Sequence, residues 1–280
     1  MGFRERHTIP DLGIGVGFRP KHQADVLENG GATQVDWFEV ISENFMGAGG
    51  RPIANLEKLL ATHPVICHGV SLSIGSTTDL DAEYLLRLGQ VLSRAKPAWF
   101  GDHACFCRSG ELDTHDLLPL PYTREAIDHV AERIKRVQGT MERPFAIENV
   151  SSYLTYVDSE MTEWEFIAQL AEKADCGVLL DVNNVFVNAF NHGFDANAFV
   201  DAIPADRIIQ IHLAGHTDKG SHLLDTHSDH VVDGVWALYE RVIKRVGSVS
   251  TLVEWDDDIP EWSVLVAEAN AARAHRQAAK

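Results

Sequence analysis

Short, almost wholly apolar runs recur along the chain, separated by longer segments whose apolar residues return every three or four positions. The runs are "IGVGF" (14–18), "DWFEVI" (36–41), "PVICHGV" (64–70) and "AWFGDH" (98–103), then "FAIENV" (145–150), "CGVLLDV" (176–182), "RIIQIHL" (207–213) and "STLVEW" (250–255). A near-continuous apolar run, rather than strict alternation, predicts a strand covered on both faces, as in a parallel sheet. The segments between them read as helices. "DAEYLLRLGQVLSRA" (81–95) carries Leu85, Leu88, Val91 and Leu92 on one stripe and is stopped by Pro97. "TREAIDHVAERIKRVQG" (123–139) opens on Thr123, buries Ile127, Val130, Ile134 and Val137, and ends at Gly139. Residues 162–174 start with the capping pair Thr162 and Glu165. Residues 231–247 present Val235, Leu238, Val242 and Val246, and a last helix from Pro260 runs into an Ala-rich tail. Trp164, Phe166 and Trp236 read as helix-packing residues.

Eight strands, each followed by a helix or long loop and with no Pro/Ser-rich linker, predict an α/β chain folded as a single (β/α)8 TIM barrel. The whole of 1–280 is taken as that domain, with its core at about 10–260 and a fraying helix and tail over 261–280. The alternative, a doubly wound open sheet, wants a glycine-rich phosphate loop after the first strand; in "GIGVGF" the glycines lie within the strand, and Pro20 follows. The loops at 104–122 and 214–230 are long enough to reach over the barrel mouth.

Polar residues with metal-ligand chemistry stand at one end of the strands. Strand three ends at His68, strand four at His103, strand five at Glu148 and Asn149, and strand six at Asp181, followed by Asn183 and Asn184. Strand seven ends at His212, strand eight at Glu254, and the stretch "DTHSDHVVD" (225–233) adds Asp225 and His227 at the i, i+2 spacing that aims two side chains of an extended segment the same way. In a barrel these carboxyl ends converge on one mouth. A carboxylate or imidazole on a buried strand is costly unless paired or metal-bound, and six consecutive strands ending so predict a metal cluster at the C-terminal mouth. Imidazole and carboxylate without thiolate suit Zn, Fe or Mn. The ligand number exceeds one ion's needs, so two or three ions are expected, bridged by Glu148, Asp181 and Glu254. His7, His22, His63, His115, His129 and His275 read as surface residues. His216, His222 and His230, in the loop after strand seven, are candidates for supporting or substrate groups, and Asp229, His230 and Asp233 for loop and helix-capping roles.

Composition narrows the picture. The formal charge of −17 opposes nucleic-acid phosphate at long range, and no apolar run reaches a membrane span. The four cysteines, Cys67, Cys105, Cys107 and Cys176, form no CxxC pair and read as reduced structural thiols. "MGFRERHTIP" lacks a secretory apolar core, so a cytoplasmic protein is expected, with neither membrane nor nucleic acid as partner.

The motifs "GVGFRP", "FEVISENFM", "HGVSLSIGS", "GDHACF", "AIENVSSY", "LLDVNNVFVNAFNHG", "IHLAGH", "DTHSDHVVD" and "LVEWDDDIP", in this order over about residues 10–260, resemble the multinuclear non-haem iron-dependent oxidases, long catalogued as a domain of unknown function within the xylose isomerase-like TIM barrels. The resemblance implies two or three irons in mixed valence, O2 as co-substrate, and a Cys-containing, ribosomally made precursor peptide as substrate, with a separate partner protein presenting it. Carried over motif by motif, it implies metal ligands at His68, His103, Glu148, Asp181, His212, Asp225, His227 and Glu254. Asp256, Asn149 and Asn183 are expected to support the chemistry, and Arg19 and Asp102 to contact peptide or lid. A more distant likeness to the apurinic endonucleases places Asn184 where those barrels carry a ligand histidine, so Asn184 joins the metal set as a weaker amide ligand. A Zn- or Mn-dependent hydrolase or isomerase remains the alternative enzyme, and a metal-storing scaffold the non-enzymatic one.

Overall fold

The computed structural model describes residues 1–110 and 112–280. Its eight principal strands are β1 (Ile14–Gly17), β2 (Trp37–Ile41), β3 (Val65–His68), β4 (Phe100–His103), β5 (Phe145–Glu148), β6 (Gly177–Asp181), β7 (Ile208–Leu213) and β8 (Ser250–Val253). All neighbours are parallel, and β1 pairs with both β2 and β8, so the sheet closes into a barrel. Closure excludes the open doubly wound sheet and accounts for the apolar runs, since every strand is covered inside and outside.

Inside the barrel the side chains stack in layers set by the two-residue period of a strand. The lowest layer is apolar: Trp37, Ile66, Trp99, Ala146, Leu179, Ile209 and Leu252 pack together with Phe3 of the N-terminal helix beneath them. Two positions further along six of these strands stand Glu39, His68, Gly101, Glu148, Asp181 and Glu254. The period that buries the floor therefore lifts the polar residues to the layer above it. On β7 the pairing with β6 shifts between Val178 and Leu179, an irregularity that sets Gln210 beside Leu179 and His212 beside Asp181.

The surrounding helices follow the expected stripes, with adjustments at their ends. Asp81 caps the helix Ala82–Ala95, and Thr162 forms a complete capping box with Glu165. The helix from Arg124 runs through Gly139 to Met141 and closes on Glu142 in the left-handed region. The C-terminal tail does not fray. Trp262–Ala278 is a helix whose Trp262, Leu265, Val266, Ala269 and Ala272 are buried, because alanine both favours helix and permits close approach to the barrel. Two further features lie where loops were expected. Cys105–Ser109 and Leu112–Pro119 pair as an antiparallel hairpin directly after β4, and Thr217–Asp218 pairs with Leu223–Leu224. The four cysteines are buried and unlinked.

Candidate metal centre at the barrel mouth

Adjacent strands bring the polar ends together in register: His103 lies opposite Glu148, and Asp181 opposite His212. Gly101, on the strand next to His68, leaves room for that ring; a Cβ there would stand 2.9 Å from His68 Nδ1. Glu148 sits at the centre. Its Oε2 is 2.8 Å from His68 Nε2 and 3.3 Å from His103 Nε2, while its Oε1 is 3.4 Å from His212 Nδ1. Glu254 Oε2 is 3.0 Å from His212 Nδ1 and 3.3 Å from His227 Nδ1.

Asp181 has two tasks. It caps the helix Val182–His192, its Oδ1 accepting from Asn184 N at 2.6 Å, while its Oδ2 is left without a hydrogen bond in the interior. Asn149 braces it, the Asn149 amide and the Asp181 backbone exchanging two hydrogen bonds of 3.0 Å. Asp225 and His227 do converge, with His227 Nε2 2.8 Å from Asp225 Oδ1. They do so through a bend rather than the extended segment expected, because His227 has φ +47°. A non-glycine residue held in the left-handed region is strained, and such strain gathers at functional sites. Asn183 donates to Asp225 Oδ1 at 2.7 Å and pairs with His216 at 2.8 Å.

Four groups of three residues, each with ligand-type atoms within 4.8 Å of one another, overlap: His68–His103–Glu148, Glu148–Asp181–His212, Asp181–His227–Glu254 and Glu39–His212–Glu254. Glu148, Asp181 and Glu254, the expected bridging carboxylates, each belong to two of them. Electrostatics agree with a cation-seeking cluster. Burial opposes charge on Glu148, yet His103, His68 and His212 hold its carboxyl well below the usual range. Burial likewise acts to lower His68, His212 and His227, but the facing carboxylates overcome it and raise all three. Burial pushes Asp181 upward despite His227. Carboxylates that draw protons onto several imidazoles offer the same potential to a metal ion. Glu148 Oε2, Asp181 Oδ2, Asn184 Oδ1, His212 Nδ1 and His227 Nε2 are buried without a hydrogen-bond partner among the described residues. Close approach without hydrogen-bond alignment is the arrangement of donors aimed at shared points, and mixed imidazole and carboxylate donors fit a divalent transition metal.

Several residues take other places than expected. Arg19 and Asp102, expected to contact a peptide or lid, are buried: Arg19 lies against Glu254 and Asp256, and Asp102 accepts from Leu72 N and His103 N. His22, read as a surface residue, is buried and bonded to Pro260 O, because the short turn at 20–22 packs it against Trp262. His230 turns from the centre to Glu268, which also accepts from Val231 N and so ties the 225–231 segment to the last helix. His222 bonds the neighbouring Ser221. Asp256 is paired with Arg19 and lies 3.4 Å from His227 Nδ1. Glu39, within the group formed with His212, did not stand out from the sequence because it lies inside its apolar run rather than at the end. Strand parity was the available signal.

A family model described as the RiPP precursor modification enzyme MbnB/TglH/ChrH matches residues 13–277. The chain belongs to this family. Members modify ribosomally made precursor peptides, as that description states. Among similar sequences are a UPF0276 protein of Anaeromyxobacter sp. (strain Fw109-5), 55% identical over 93% of this chain and 92% of that protein, and one of Caulobacter vibrioides (strain NA1000 / CB15N), 44% identical over 95% and 94%. Solved structures with the same fold include a D-psicose 3-epimerase, TM-score 0.63 at 11% identity over 96% of this chain and 99% of that one. Endonuclease IV from Thermus thermophilus matches with TM-score 0.58 at 15% identity over 95% and 99%. Both are xylose isomerase-like TIM barrels, and at these identities the likeness concerns the fold. No helix among the described residues is long and apolar enough to cross a membrane.

Proposed function

We propose that this member of the peptide-modifying family is a multinuclear non-haem iron oxidase, using O2 to modify Cys, or residues beside it, in a precursor peptide. The observation that supports this reading is the chain of overlapping ligand groups linked by Glu148, Asp181 and Glu254. We assign His68, His103 and Glu148 to one ion, and Glu148, Asp181, His212 and Glu254 to a second. Asp181, His227, Asp225 and Asn184 would hold a third. Bound iron supplies one-electron chemistry with O2 and an acidic point that favours a substrate thiolate. The protein's own residues do the positioning. Asn149 fixes Asp181, Asn183 orients Asp225, and Arg19 holds Glu254 and Asp256. We assign Asp256, with 41% of its side chain exposed and 3.4 Å from His227 Nδ1, as the carboxylate that supports the chemistry at the mouth. Residues 1–280 act in this reading as one cytoplasmic domain, and a separate protein presents the peptide.

The test is to reconstitute the chain anaerobically with Fe(II), count iron by elemental analysis and Mössbauer spectroscopy, then admit O2 with the Cys-bearing peptide and the presenting protein encoded nearby. Two or three irons per chain and an O2-dependent change in peptide mass are expected. Full iron loading with every such peptide unchanged in mass refutes the oxidase. Preferential Zn or Mn loading with anaerobic turnover of a sugar or an abasic oligonucleotide replaces it with the hydrolase or isomerase reading.

A further inference from the structure

Three of the seven large apolar side chains exposed among the described residues fall within five positions of one loop. Tyr153 is 52% exposed, Leu154 46%, and Val157 wholly. Apolar side chains scattered singly over a surface need no explanation, whereas a cluster marks a contact site. The loop leaves β5 just past Glu148 and Asn149, so it stands at the mouth. It is held at both ends. Ser152 N donates to Asn188 Oδ1 at 2.8 Å, and Asp225 N donates to the Tyr153 hydroxyl at 2.8 Å. Further along, Glu160 N donates to Tyr122 O at 2.9 Å and Tyr122 N to Ser159 Oγ at 3.3 Å. A fixed backbone therefore presents the exposed side chains, and Tyr153 touches the segment that carries Asp225 and His227. Beside the loop, between the hairpin and the helix Arg124–Met141, opens a groove of about 440 Å3 walled by Tyr156, Phe106, Leu120 and Pro121. The charge around it is negative. Burial makes the Tyr153 hydroxyl harder to ionise, and the carboxylates of Asp225 and of Asp116 on the hairpin add to this, so Asp116 lies within electrostatic reach of the ring. Asp116 accepts from Leu117 N, and neither it nor Asp158 has an ion-pair partner among the described residues.

We propose that this rim is the docking surface for the substrate peptide, and that it takes a segment in which an aliphatic or aromatic residue stands beside Lys or Arg. The inference rests on the peptide-modifying part of the reading above and not on the identity of the metal. The apolar side chain enters the groove beside Tyr156 and covers Leu154 and Val157, removing apolar surface from water. The cation lies on the face of the Tyr153 ring within reach of Asp116, where aromatic and carboxylate both attract it. A formal charge of −17 over the whole chain adds a long-range pull on such a segment. The occupant is an extended peptide because the surface is continuous with the centre: Tyr153 binds the backbone of Asp225, so a chain lying along the rim runs on to the ligand groups. A folded protein seated in the same place would close that approach.

The experiment measures fluorescence anisotropy of labelled synthetic peptides with the full chain. Three probes carry a central Cys flanked by Leu and Lys, by Leu and Glu, or by Ser and Lys. The Leu/Lys probe should bind tightest, and its affinity should fall as NaCl is added. The double variant Leu154→Ser with Val157→Ser should bind it about 10-fold more weakly. Asp116→Asn with Asp158→Asn should weaken it about threefold and flatten the salt dependence. Leu86→Ser, at an exposed apolar position on the helix Ala82–Ala95 away from the rim, should change nothing. Failure of the wild type to prefer the Leu/Lys probe over the Leu/Glu probe overturns the proposal, and needs no variant. Rim variants that bind as the wild type does also overturn it. A changed sedimentation coefficient in the Leu154→Ser and Val157→Ser variant overturns it by making the rim an interface between copies, and loss of the presenting protein alone does so by making that protein the occupant. Iron counted in the same samples separates the two readings. A chain without iron that still selects the Leu/Lys probe refutes the oxidase and leaves the docking surface standing, and full iron without selection does the reverse.

Discussion

Glu163 should make the fold lose stability as the solution turns alkaline. It is the first residue of the helix Glu163–Ala174, yet it is buried, and its Oε2 accepts from Asn188 Nδ2 at 3.1 Å. Asn188 also donates to Val150 O and accepts from Ser152 N, so the network secures the chain immediately beyond Glu148 and Asn149. Burial pushes the Glu163 carboxyl from an ordinary 4.5 up to about 8, against the opposing hydrogen bonds from Asn188 and Tyr122. The folded state therefore holds a proton that the unfolded chain releases above 4.5. The stability this contributes is complete below pH 4.5 and is lost as pH rises through about 8. At about 1.4 kcal/mol per pH unit, that interval corresponds to a loss on the order of 4–5 kcal/mol. Glu163→Gln reproduces the neutral carboxyl at every pH. Urea unfolding from pH 4.5 to 9 should show the wild type and variant close together at the acid end, and the variant more stable by several kcal/mol at the alkaline end. The difference between the two curves cancels every other titrating group. Parallel curves would refute the argument, since Glu163 would then be charged and solvated throughout.

Further outcomes follow from the mouth and the core. Removing bound metal with a chelator should lower the Tm, because Glu148, Asp181 and Glu254 lose a shared cation; metal at 100 times its Kd is worth about 2.7 kcal/mol, and a melt insensitive to chelator contradicts the metal reading. His103→Ala should cost close to one ion per chain by elemental analysis while far-UV circular dichroism stays the same, since His103 stands above the apolar floor layer; full metal content would show that it is not a ligand. Leu56→Ala, at a fully buried position of the outer core, should destabilise by about 2–5 kcal/mol in denaturant unfolding, and a cost below about 1 kcal/mol would mean the site can collapse around the missing atoms.

The eight strands, the main helical stripes and the polar ends of β3 to β8 were legible from residue order because each depends on a short-range period. Burial on both faces makes a strand an apolar run, and a His or Glu within such a run stands out against it. The hairpin at 105–119 was not legible: its segment "CFCRSGELDTHDLLP" mixes polar and apolar residues without a clean alternation, and it is held by long-range hydrogen bonds, Cys107 N donating to Ser73 Oγ and Gly75 N to Cys105 O. The tail was misread because an alanine-rich segment looks weakly amphipathic until a surface exists for it to pack on. Glu39 and Gln210 were hidden inside their strands, although the two-residue period places Glu39 level with His68 and Glu148.

Local order along the chain thus sets which residue types face the barrel interior and at which end, since a strand's side chains alternate whatever surrounds them. Which atoms then meet is decided across the barrel. Closure of β1 on β8 carries Arg19 to Glu254 and Asp256, the shifted pairing of β7 sets Gln210 and His212 against Glu39, and the left-handed turn at His227 brings the 225–227 segment over Asp181. These contacts join residues far apart in the chain, and their geometry follows from the register and closure of the whole sheet rather than from any neighbouring residue.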